Sequence, residues 1–120
     1  MARIAHFRQL EAWKAAHQLV LHIYSCTRAY PRDEQYVLVS QMRRAAISVP
    51  ANIAEGFKRR SIPEKLRFCN IAEGSLEELK YYLVLSADLG YIDSNQELMS
   101  QADQVGRLLN GLADSTRRRR

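Results

Sequence analysis

Ser48, Asn52 and Glu55 share one side of an amphipathic segment, "RRAAISVPANIAEGFKRR", at residues 43–60. A serine with a carboxylate on the same helical face is a combination that hydrolases use. Acyl transfer also needs a base for the serine proton and donors for the oxyanion. No histidine lies on this line, and no nucleophile-elbow or oxyanion-hole pattern accompanies it. What such a strip can do is hydrogen-bond, as partly buried polar groups that fix how one helix meets another. His22 and Cys26, four residues apart, can face one metal ion, but two ligands do not make a site. His17 belongs to an apolar stripe and His6 precedes the first helix. P-loop and paired-carboxylate motifs are absent from the sequence. The expectation is a protein without enzymatic activity, metal or cofactor.

A second group of residues suits phosphate chemistry. Lys58, Arg59, Arg60, Lys65 and Arg67 crowd around one turn, and Arg43 and Arg44 lie about four helical turns back. The net charge of +5 is unevenly spread. Residues 1–27 carry +2, residues 28–67 carry +5, residues 68–116 carry −6, and the terminal Arg117 to Arg120 add +4. A basic middle and an acidic second half fit a face that binds RNA or DNA through the backbone. They equally fit subunits that pair a basic edge with an acidic one. The terminal arginines read as a disordered basic tail, residues 117–120, following a single domain at 1–116.

The elements that must position these groups are all helical. Leu10, Trp13, His17, Leu21 and Tyr24 form one arc and predict a first helix from about Phe7 to Ala29. Pro31 ends it, and a second helix is expected from about Glu34 to Phe57 with Gly56 as a stop signal. At 100° per residue, Gln41, Arg44, Asn52, Glu55 and Arg59 stay within about 40° of Ser48. Val39, Ala46, Pro50, Ile53 and Phe57 lie opposite. The polar line keeps its phase across Pro50, which favours one proline-kinked helix over a break at Val49. "SIPE" at 61–64 predicts a capped start for a third helix that runs to about Leu89 and stops at Gly90. "SNQE" at 94–97 opens a fourth, which frays near Ala113. The fold class is all-α: an antiparallel up-down-up-down four-helix bundle.

The third helix carries more apolar surface than one bundle face requires. Beside the stripe Cys69, Ala72, Leu76, Leu79, Leu83 and Ala87, its second half places Tyr81, Tyr82, Val84 and Leu85 around the back. These four are the expected interface of a homo-oligomer. The longest apolar run, Tyr81 to Leu85, is five residues, against the ~20 that span a bilayer, so no membrane partner is expected. Two cysteines, Cys26 and Cys69, build no disulfide framework and suggest a reduced, cytoplasmic protein.

"FRQLEAW", "QMRRAAISVPANIAEGFKRRS" and "FCNIAEGSLEELKYYLVLSADLGYI" together resemble the bacterial four-helix-bundle family that includes the proteins encoded in 23S rRNA intervening sequences. The accessory variability determinants of diversity-generating retroelements are distant relatives of that family. The resemblance covers residues 7 to about 92. It implies a bundle assembled as a five-subunit ring, a homo-pentamer, and a role in binding RNA or DNA. Its retroelement relatives further imply a protein partner such as a reverse transcriptase.

Overall fold

Four helices make up most of the computed structural model, which describes residues 3–119: α1 (Glu11–Thr27), α2 (Leu38–Lys58), α3 (Ile62–Asp88) and α4 (Gln96–Arg117). Short 3-10 turns at Phe7–Gln9 and Arg32–Glu34 precede α1 and α2. Each helix packs on the next, and α1 closes the circle on α4. Along α2 and α3, Met42 meets Ser86, Ser48 meets Ser75 and Gly56 meets Phe68, so the two run in opposite senses. Lys80 with Asp103 and Leu76 with Gly106 set the same relation for α3 and α4. Leu19, Ile23, Met42, Val49, Leu79, Leu83, Val105 and Leu109 fill the centre and are fully buried.

Local chemistry explains the boundaries. The Ser61 hydroxyl accepts the Glu64 amide at 3.2 Å, and Pro63 sits in the first turn of α3, where no amide donor is needed. At the other end Gly90 takes a φ of +80°. The Tyr91 amide then donates to the Ser86 carbonyl and the Gly90 amide to that of Ala87, a Schellman turn. α2 passes through Pro50 as one helix, with no break at Val49. α4 runs to Arg117, a turn past the expected fraying at Ala113, where Arg117 meets Asp114 at 2.8 Å. Arg120, the last residue of the expected tail, lies outside the described residues.

The first helix departs from expectation in start and in phase. His6 and Gln9 form a capping box around a separate 3-10 turn, and extended backbone at Leu10 divides it from α1. The buried face of α1 is Ala12, Ala16, Leu19, Val20, Ile23 and Thr27. Leu21 is 47% exposed, and Trp13, His17 and Tyr24 are only half-buried. The reason is close packing: Ala12 and Ala16 on α1, with Ala45 and Ala46 on α2, are the small residues that let helices approach. α2 likewise begins at Leu38 rather than Glu34, because a 3-10 turn and then an irregular Val37 intervene.

Candidate nucleic-acid interface

The antiparallel order brings the α2–α3 turn, the start of the chain and the end of α4 to one end of a molecule 49 Å long. Lys58, Arg59 and Arg60 leave α2, Lys65 and Arg67 open α3, Arg117 to Arg119 close α4, and Arg3 comes from the N-terminal segment. Asp33, Glu34, Asp88, Asp93 and Glu97 lie toward the opposite end. The two ends stand several Debye lengths apart at physiological salt, where one such length is ~8 Å, so neither screens the other.

Within the basic end the cations differ in what they can offer. Arg59 and Arg67 both place a guanidinium over the Phe68 ring, at 4.9 and 5.3 Å from its centre, and pair with Glu55 and Glu64 at 3.4 and 3.7 Å. Those pairs are exposed and span a single helical turn, an arrangement that holds a side chain weakly. Lys58 and Arg60 are exposed and form no ion pair among the described residues. Lys65 is different: its ammonium donates to the Phe57 carbonyl at 2.9 Å and the Gly56 carbonyl at 3.4 Å, closing the end of α2. Burial, and then the nearby Arg119, hold its pKa below the usual lysine value.

Arg43 and Arg44 lie away from this end and have internal partners. Arg43 donates to Thr27 Oγ1 at 3.0 Å, reaches the Tyr24 carbonyl and stacks over the Tyr24 ring at 4.3 Å, tying α1 to α2. Arg44 bonds Gln41 and pairs with Glu78 of α3, whose carboxylate also accepts from the Tyr82 hydroxyl. The geometry thus separates Lys58, Arg59, Arg60 and Arg67, which face outward, from Arg43, Arg44 and Lys65, which join elements of the bundle. Arg3 and Arg117 to Arg119 are the additions that sequence spacing alone did not assign to this cluster.

The polar line runs down the α2–α3 seam. Ser48 Oγ meets Ser75 Oγ at 2.8 Å, and Asn52 Nδ2 donates to the Ser48 carbonyl at 2.8 Å and to its hydroxyl at 3.0 Å. Glu55 finds its partner, Arg59, one turn along its own helix rather than on another element. His22 bonds Gln101 at 2.8 Å, and no cluster of three metal-ligating side chains occurs among the described residues.

The four expected interface residues divide. Tyr82 and Leu85 lean on their own core, whereas Tyr81 and Val84 are 58% and 42% exposed. A second open apolar surface is a groove between α1 and α2, lined by Phe7, Trp13, His17, Ile47, Pro50 and Ala54. It follows from the phase of α1, which turns Trp13 and His17 toward the surface while Ala12 and Ala16 face in.

An all-α bundle with a cluster of cations at one end is the class that this fold and site define. Residues 8–111 match the family model of the 23S rRNA-intervening sequence protein, and the chain belongs to that family. No curated protein matches the chain. No helix among the described residues is long and apolar enough to cross a membrane.

Proposed function

We propose that the chain is a non-enzymatic, oligomeric scaffold that holds the phosphate backbone of RNA or DNA against its basic end. The observation that carries this reading is the convergence of cations from four separate segments on one end of the bundle. Contacts of this kind go to phosphates, so base preference is small. The family's description refers to an intervening sequence of an rRNA, which supports RNA as the polyanion. The exposed Tyr81 and Val84 on α3 and the apolar groove between α1 and α2 support self-association. Repeating the basic end in several copies would raise avidity without any new contact.

Fluorescence anisotropy with a labelled RNA, across a salt series from about 50 to 200 mM, tests the reading. Roughly four to five phosphate contacts per copy give a slope of about −3 in log affinity against log salt for a single-stranded RNA. A flat slope, or no binding at the lowest salt, would overturn it. Light scattering tests the assembly separately: a mass of 13.8 kDa, that of one chain, would remove the oligomer.

A further inference from the structure

A cavity of about 720 Å³ opens at the basic end, between the N-terminal segment, α2, α3 and α4. Leu10, Ile53, Phe57 and Leu112 give it apolar walls. Arg3, Lys65 and Arg119 line it from three different elements, and no described aspartate or glutamate does. The cavity opens to solvent, so its apolar walls are not sealed by the bundle's own packing. Three cations around an apolar hollow repel one another unless an anion stands between them. Lys65 registers that crowding: burial and Arg119 both work against its charged form. Two of its three ammonium N–H groups go to the Gly56 and Phe57 carbonyls, which leaves one donor. Glu73 acts on the Cys69 thiol at the cavity wall, whose pKa is raised chiefly by burial.

We infer that this cavity binds a small amphiphilic anion, a medium-chain carboxylate. Its hydrocarbon tail lies against Leu10, Ile53, Phe57 and Leu112, and its headgroup sits among Arg3, Lys65 and Arg119. The volume falls in the ~300–1,000 Å³ range of small-molecule sites, enough for a chain of about eight to twelve carbons. Apolar walls select against a bare phosphate or a nucleotide, which would leave its polar body against hydrocarbon. Cationic lining selects against a neutral lipid. The cavity shares Arg3, Lys65 and Arg119 with the basic end, but the inference rests on its apolar walls and so stands whether or not the nucleic-acid reading does.

Calorimetric titration of the full chain, freed of nucleic acid, with hexanoate, octanoate and decanoate tests the inference, with decanol and inorganic phosphate as controls. Each added CH2 should tighten binding by up to about fourfold. Decanol should bind about tenfold more weakly than decanoate, and phosphate should not saturate. Arg119→Ala, an exposed change that leaves the core intact, should weaken decanoate about threefold to tenfold with the chain-length trend preserved. Methyl resonances of Ile53 and Leu112 should shift on titration. Absence of saturable decanoate binding, equal affinity for decanol, or indifference to tail length would each overturn the proposal. So would Ile53 and Leu112 shifts that follow protein dilution instead of ligand, since a second copy would then fill the cavity. Nucleic-acid affinity is read from its own salt slope, so either reading can fail alone.

Discussion

Ser48 Oγ and Ser75 Oγ lie 2.8 Å apart, joining the middle of α2 to the middle of α3. Both residues are half-buried, and Asn52 donates to the same Ser48 hydroxyl. Removing one hydroxyl leaves the other short of its partner. Ser48→Ala and Ser75→Ala should each cost about 1 kcal/mol, and the double variant less than the two together. Urea unfolding of all four forms checks this, and strict additivity would show that the hydroxyls do not interact.

Close approach at the α2–α3 turn gives a second expectation. A Cβ added at Gly56 would stand 2.9 Å from Phe68 Cβ, an atom bonded directly to the backbone and unable to swing away. Gly56→Ala should lower stability by about 1–3 kcal/mol despite the better helix propensity of alanine. Gly74, inside α3, has nothing within 4 Å of the same added atom. Gly74→Ala should therefore raise stability by about 0.5–1 kcal/mol. Thermal midpoints that moved in the same direction would contradict this close approach.

The division of the cations predicts two kinds of variant. Lys58→Ala and Arg60→Ala should weaken RNA binding, each making the salt slope shallower by about 1 if its side chain neutralises one phosphate. Arg43→Ala should leave that slope unchanged and lower stability by about 1 kcal/mol, because Thr27 Oγ1 loses a donor and the Tyr24 ring its guanidinium. A drop in slope for Arg43→Ala would return that residue to the phosphate face.

Tyr30 gives the pH dependence. Its hydroxyl is buried beside Ser86 and Cys26, with no well-aligned hydrogen bond among the described residues, and burial pushes its pKa up from 10.0 to about 12. A raised folded pKa means that the folded state holds the proton more tightly than the unfolded chain. The contribution to stability is complete below about pH 10 and is lost as pH rises toward about 12. Tyr30→Phe removes the titrating hydroxyl, so it should change stability by no more than about 1 kcal/mol at neutral pH and flatten this alkaline loss. Circular dichroism melts at a series of alkaline pH values would show it. An identical alkaline decline in both proteins would assign the loss to other groups.

Much of the architecture is written in short-range signals. The Ser61 cap, the Gly90 turn and the in-phase polar line across Pro50 depend on residues within a turn or two, so spacing alone locates α3 and the continuous α2. The seam role of Ser48 and Asn52 was legible for the same reason, though their partner Ser75 was not. The basic end was half legible. Lys58 to Arg67 are neighbours in sequence, while Arg3 and Arg117 to Arg119 join them only through the fold. An up-down-up-down order carries that information in principle, since it must return both chain ends to the α2–α3 turn.

By itself, then, the sequence determined the helical class, the helix-ending turns and the existence of a cationic segment, because each is a matter of local propensity and periodicity. Only the tertiary structure decided which cations face outward and which, like Arg43 and Lys65, fasten one element to another. It also decided that α1 buries its alanines and turns Trp13 and Leu21 toward the surface. Both outcomes depend on the distance between helices, which is set by side-chain size on both partners at once and so cannot be read along either one alone.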